Sequence, residues 1–449
     1  MGIFGAMTTA VSGLRAQSFA LEHISDNIAN SQTIGFKRTE TSFMDVVSAS
    51  NPRQQQSGAV TAFTRATNAV QGDLLGSEVD TNLAINGDGY FVISERSGVS
   101  DGLPVFNSVN RFTRRGDFNL DKDGYLVNGA NYYLMGNPID AVTGNPTGGV
   151  PEVIKFSKDF LAAKPTSTID YRLNLPTYPR TTNSETAVPD SELLSPALIT
   201  SGDIDNIDEE TFLKESLSGG ATTIYDQAGN NVDVQIRWAK HLNTPGAESW
   251  GMYYLSDNNP ALPTDTKWTK LPTNYVFGAN SQLISPVGDV TITAMTINGD
   301  NLGNVLLKHG TNGVTQYSDS NGVAIVNEIK QNGYSAGELS GVSITSKGRV
   351  AVTYTNGIVV EKSQIALASF NADEFLQKQN GSAFVATAES GLALFGATGF
   401  IVSNQLEASN TDIAEEFSKL IVTQQAYAAG TRIVTTSNEM LQEVINMKR

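Results

Sequence analysis

The chain has 449 residues, 40% of them hydrophobic and 17% charged, with a net charge of −16 and no cysteine. That length and apolar content support roughly two to four domains with cores of their own. The acidic balance offers no basic face to a phosphate backbone, so nucleic acid is not an expected partner. The missing thiols exclude disulfides, thiolate catalysis and cysteine metal sites.

No stretch reaches the ~20 apolar residues of a membrane span. The longest candidate, Gly391 to Val402, is short and broken by glycine, so membrane insertion is not expected. The opening MGIFGAMTTAVSG lacks the early basic residues and leucine-rich run of a secretory signal. Export, if it occurs, is expected to use an uncleaved address.

Along the chain, Ile3, Met7, Ala10, Leu14, Gln17, Leu21, Ile24 and Ile28 recur at alternating spacings of four and three, which predicts an amphipathic helix. It should end where Asn27 to Ser31 replace the helix formers. Thr39 to Gln71, rich in Ser, Thr, Ala and Gln, reads as a linker or extended packing arm with Phe43 and Val47 as apolar anchors. From Gly72 the pattern becomes strands and turns. Val79 to Ile85 and Tyr90 to Ile93 flank Asn86-Gly87-Asp88-Gly89 and predict a hairpin. Asp117, Asn119, Asp121 and Asp123 have the spacing of a calcium loop, but Lys122 or Leu126 stands where that loop needs glycine, so a turn is expected.

Pro151 to about Glu328 reads as a separate β domain, with strands at Ile169 to Leu175, Val232 to Ala239, Trp250 to Leu255, Asp289 to Ile297 and Gly322 to Glu328. Ser184 to Leu217 is acidic and less regular, which suggests a surface excursion. Trp238, Trp250, Tyr253, Tyr254 and Trp268 are expected in a core rather than on a carbohydrate platform, because several alternate with aliphatic residues. Strand patterning of the earlier kind returns at Val342 to Gly357.

The last stretch repeats the four-and-three spacing through Ile413, Phe417, Leu420, Gln424, Tyr427, Thr431, Val434, Asn438, Leu441 and Ile445. At ~1.5 Å per residue this is a rod of roughly 50 Å. One column is apolar, through Leu420, Tyr427, Val434 and Leu441; the other carries Gln424, Thr431 and Asn438. Arg432 is the one charge between Leu420 and Asn438, whereas a solvated coiled coil flanks its seam with Glu and Lys. The two terminal helices are therefore expected to pack on each other and on copies from other subunits.

Chemistry is hard to find. His23, His241 and His309 are scattered, and no phosphate loop, dinucleotide fingerprint or nucleophile elbow occurs. No catalytic, cofactor or metal site is expected.

Ser12-Gly13-Leu14, Asp26-Asn27-Ile28-Ala29-Asn30-Ser31 and Thr33-Ile34-Gly35-Phe36-Lys37 together resemble the N-terminal signature of bacterial flagellar rod and hook proteins. Glu407 to Ile413, with Ser409, Asn410 and Asp412, and Gln424-Gln425-Ala426-Tyr427 resemble that family's C-terminal signature. Gln425 and Gly430 depart from it, where Arg and Asn are usual. Phe43 to Val47 resembles the family's export-gate signal.

The resemblance and the pattern together give an α+β multidomain fold: long terminal helices paired as a coiled-coil-like layer, and nested all-β domains. The expected division is residues 1–30 and 408–449 helical, 31–71 and 400–407 linker or arm, 72–151 and 332–399 a discontinuous inner β domain, and 152–331 an inserted outer β domain. The resemblance implies a structural subunit of an extracellular, exported helical homopolymer. Its implied partners are itself, the distal rod, the hook cap, hook–filament junction proteins and the export apparatus. The length of the insertion favours a curved, flexible hook over the straight distal rod. Readings from other classes are a carbohydrate-binding β protein and an adhesin held by a terminal coiled coil.

Overall fold

The computed structural model describes residues 3–46, 59–100, 102–157, 160–310, 312–396 and 399–447. These form an α+β, multidomain protein that is mostly strand, with one long helix towards each terminus. Two compact units account for the chain. One comprises Met1–Lys158, Ser340–Thr353 and Val359–Arg449, the other Asp159–Leu339 and Tyr354–Ile358.

In the first unit the N-terminal helix runs Ile3–Ala29 and the C-terminal helix Ile413–Asn446. Each extends close to the limits set by its apolar spacing. Residues 39–66 do more than link: Thr39–Val46 and Ala59–Ala66 pair antiparallel, with Phe43 opposite Ala62. The β-rich part is built on a ladder in which Tyr90–Ser100 lies between Tyr132–Pro138 and Arg111–Thr113. Tyr132–Pro138 pairs in turn with Val359–Ile365, a strand more than 200 residues later in the chain. Tyr90, Val92, Phe112, Met135, Phe370 and Phe384 form its core.

The hairpin expected across Asn86 to Gly89 does not form. The chain does turn there, with Gly87 at φ +95° and Gly89 at φ +131°. However, Leu83–Asn86 pairs with Phe400–Ser403 while Tyr90–Ser100 joins the main ladder. A distant strand has taken the hydrogen-bonding edge that the local partner would have used. Asp121 turns the chain as the glycine positions implied, accepting from the backbone nitrogens of Asp123 and Tyr125.

The second unit packs a five-stranded sheet and a seven-stranded sheet around one core. Trp238 and Trp250 are fully buried there, and Trp238 Nε1 donates to Tyr171 Oη at 2.9 Å. The aromatic residues thus serve as core. The segment 184–217 is more than a surface excursion: Leu194, Leu198, Ile204 and Phe212 bury against Tyr253 and Trp268 in a second cluster. Two short helices, Pro196–Ser201 and Glu209–Glu215, carry Leu198 and Phe212, and each has too few turns to show periodicity.

Candidate assembly site

The two long helices leave a common junction. Asp412 caps the C-terminal helix, its Oδ1 accepting from the backbone nitrogens of Ala414 and Glu415 at 2.8 and 3.2 Å. Glu415 and Glu416 add acidic charge to the first turn, where the helix dipole favours it. Hydrogen bonds from Lys419 and Arg38 pull the Glu415 carboxyl down to about 2.

Asn27, at the end of the N-terminal helix, is 1% exposed. Its Oδ1 accepts from the Thr39 backbone nitrogen, while Nδ2 donates to the Thr39 carbonyl and to Glu416 Oε2. One side chain therefore holds helix, hairpin and opposite helix together. Asn410 does the same from the other end, accepting from the Arg38 nitrogen at 2.7 Å and donating to Thr67. Gly35 lies at φ +65°, and a Cβ there would stand 2.6 Å from the Arg115 backbone nitrogen, so only glycine fits. The Phe36 ring receives the Lys378 ammonium at 4.7 Å. Asn30 bonds back to Asp26, and Ser409 to Thr411. Ala29 is the last helical residue.

Sequence reasoning missed the centre of this junction. Glu407 is fully buried and accepts from Lys37 Nζ, Arg114 Nη1 and the Gly72 nitrogen, so three separated parts of the chain meet on one carboxylate. Burial lowers the Lys37 pKa, and Glu407 opposes the shift. The available signal was a single acid closing the otherwise neutral run from Phe400 to Leu406.

Beyond the junction the C-terminal helix turns a seam of Glu416, Leu420, Thr423, Gly430, Val434, Ser437 and Leu441 away from solvent. Glu416, Thr423 and Ser437 are buried; Leu420, Gly430, Val434 and Leu441 are half-buried. Leu14 of the N-terminal helix sits where a Cβ on Gly430 would lie 3.0 Å from its Cδ2. The small residues Thr423, Gly430 and Ser437 occupy the second column of this seam, and close approach follows from their size. Gly430, one of the two signature departures, thus faces the chain's own other helix.

The residues read as the polymerisation stripe divide accordingly. Ile24 is buried, and Met7, Ala10, Leu14, Leu21 and Ile28 are half-buried, as are Leu420, Thr431, Val434 and Leu441. Ile413, Phe417, Gln424, Tyr427, Asn438 and Ile445 are exposed. Ile3 opens its helix, but its side chain, like Val47, lies outside the described residues. Away from the seam the C-terminal helix also exposes Ile421, Val422 at 65%, Ile433, Met440 and Val444. The hairpin exposes Phe43, Met44 and Phe63. On its other side the N-terminal helix meets this hairpin, with His23 Nδ1 2.8 Å from Thr41 Oγ1 and Ser12 Oγ accepting from the Val60 nitrogen.

Among the described residues no helix is long and apolar enough to cross a membrane, and no group of three metal-ligating side chains converges.

Four family models match the chain in order. They are the flagella basal body rod protein over residues 7–37, the flagellar hook protein FlgE/F/G D1 domain over 84–159, the flagellar basal body protein FlaE D2 domain over 197–334, and the flagellar basal body rod FlgEFG protein C-terminal over 402–447. The class is that of a structural protein of the flagellar rod and hook. The flagellar hook protein FlgE of Salmonella typhimurium is 30% identical, over 99% of this chain and 100% of its own. That of Brucella suis is 29% identical over the full length of both. A crystal structure of Helicobacter pylori flagellar hook protein FlgE2 aligns with 74% of this chain and all of its own, at 17% identity and a TM-score of 0.48. The chain belongs to the flagellar hook protein FlgE family and is a structural subunit of the bacterial flagellar hook.

Proposed function

We propose that this subunit assembles with copies of itself into a curved, flexible tube that acts as a universal joint between rod and filament. The carrying observation is the C-terminal helix. With its partner helix in place it still exposes Phe417, Ile421, Val422, Ile433, Met440 and Val444, and covering each fully is worth ~1.5 to 3 kcal/mol. Neighbouring copies offer the same surface in a repeating geometry. The helices and hairpin supply the contacts, the Glu407 junction fixes the direction in which the helices leave, and the β domains form the wall and outer surface. By family resemblance its partners are the distal rod, the hook cap, junction proteins and the export apparatus. Phe43, one of the two residues of the candidate export signal, is exposed. Export then proceeds without a cleaved signal peptide.

Electron microscopy of concentrated or salted-out protein tests this, beside a chain ending at Asn410. Full-length protein should give curved tubes and the shortened chain none. Tubes from the shortened chain would overturn the assembly site, and straight rigid tubes would favour a rod subunit.

A further inference from the structure

Near the end of the strand Asn231–Leu242, Lys240 is 1% exposed. Its Nζ donates to the Thr177 carbonyl at 2.6 Å and to Asn243 Oδ1 at 2.8 Å, and lies 3.5 Å from Glu248 Oε2. The Asn243 carboxamide is gripped from its other end, where Nδ2 donates to Glu192 Oε1 at 2.7 Å. Glu192 is itself 3% exposed. Gln316 Nε2 donates to Glu248 from the side. An amine, a carboxamide and two carboxylates thus share one largely enclosed cluster.

We propose that this cluster joins Lys240 to Asn243 through an intramolecular isopeptide bond, with loss of ammonia. Two obstacles normally prevent the reaction at neutral pH: the lysine is protonated, and the amide nitrogen leaves only when it gains a proton. The site addresses both. Burial weakens the hold of Lys240 on its proton, against the opposing pull of Glu248 and Glu192, and Glu248 is placed to accept it. Fixing amine and carbonyl side by side replaces an encounter from solution, an advantage that reaches effective molarities of ~10⁵ M or more in well-oriented cases. Glu192 already contacts the nitrogen that must leave.

The step balances without oxidant or reductant. The neutral Nζ attacks Cγ of Asn243 and the Nζ–Cγ bond forms. A proton passes from the attacking nitrogen through Glu192 to Nδ2, the Cγ–Nδ2 bond breaks, and ammonia departs. It carries off, as ammonium, the proton that Glu248 took from Lys240. The new amide N–H still has the Thr177 carbonyl as acceptor. The product fixes the turn between Asn231–Leu242 and Glu248–Leu255, the two long strands that carry Trp238 and Trp250.

Intact-mass and tryptic mass spectrometry of the purified full-length chain test this. The expected mass is lower than the sequence mass by one ammonia, and trypsin should fail to cut after Lys240. Asn243→Ala should restore both the full mass and the cut, while Asn243→Asp should lose one water instead. Glu192→Gln should slow the reaction at least tenfold with the fold unchanged by tryptophan fluorescence. A wild-type chain with native fluorescence, the full sequence mass and ready cleavage after Lys240 overturns the proposal.

Discussion

Asn27 Nδ2 and Glu416 Oε2 lie 3.0 Å apart, although 389 residues separate them in sequence. Glu416 is 1% exposed, and its second oxygen meets Lys419 at 3.0 Å. The start of one terminal helix is thus held against the end of the other by a buried, charge-assisted hydrogen bond. Asn27→Leu should remove this bond and also strand the Thr39 backbone groups, at a cost of ~2–4 kcal/mol. Urea unfolding followed by helical circular dichroism should show the loss. All three tryptophans belong to the second unit, so tryptophan fluorescence should stay at the wild-type midpoint.

Glu407 balances Lys37 and Arg114. Glu407→Gln leaves two buried cations without an anion, a change that typically costs ~3–5 kcal/mol. The helical transition should fall by that amount and tube formation should fail at ordinary concentrations. An unchanged midpoint would mean that water, and not Glu407, solvates the pair.

Gly430 sets the spacing of the helices against Leu14. Gly430→Leu should separate them at a cost of ~1–3 kcal/mol through overpacking. Adding Leu14→Ala should return part of that loss, a coupling that a double-mutant cycle measures. Additive effects would mean that the two residues do not touch in solution.

Burial depresses the His241 pKa from its usual 6.5 to about 4, with Tyr253 Oη its partner at 3.0 Å. Between those values the unfolded chain binds a proton that the folded one does not, so stability falls as pH drops through 6.5 towards 4 and levels off below. The full effect is ~3 kcal/mol. Tryptophan-monitored urea unfolding at pH 7.5 and pH 4.5 should reveal it, and His241→Gln should remove this component of the slope.

The column Gln424, Thr431 and Asn438 lies beside the intrachain seam and faces outward at Gln424 and Asn438. If it meets neighbouring copies, its amides and hydroxyl exchange partners more readily than interlocked apolar side chains do. Replacing all three with Leu should stiffen the tube, as measured from thermal fluctuations in electron micrographs. Equal stiffness would remove this column from the account of bending.

Both long helices were legible because their apolar spacing persists over many turns, and the strands of the second unit because alternation runs through Thr168–Asn174 and Asn231–Leu242. The true seam was harder to read. Thr423, Gly430 and Ser437 contribute by being small, and hydrophobic periodicity gives smallness no weight. The pairing of Leu83–Asn86 with Phe400–Ser403 spans more than 300 residues, whereas turn residues predict only local partners. The Glu407 cluster escaped for a related reason: each member is an ordinary charged residue until the fold brings three distant segments together. The signature asparagines were recognisable as a pattern, but their hydrogen bonds to Thr39, Glu416 and Arg38 were not.

The carbonyl of Glu407 accepts from Gly35 while its carboxylate holds Lys37. Main chain and side chain of one residue therefore tie the segment that enters the C-terminal helix to the segment that leaves the N-terminal helix. Together with the Asn27–Glu416 and Asn410–Arg38 bonds, this gives the two helices a common base, so a load carried along one is shared with the other.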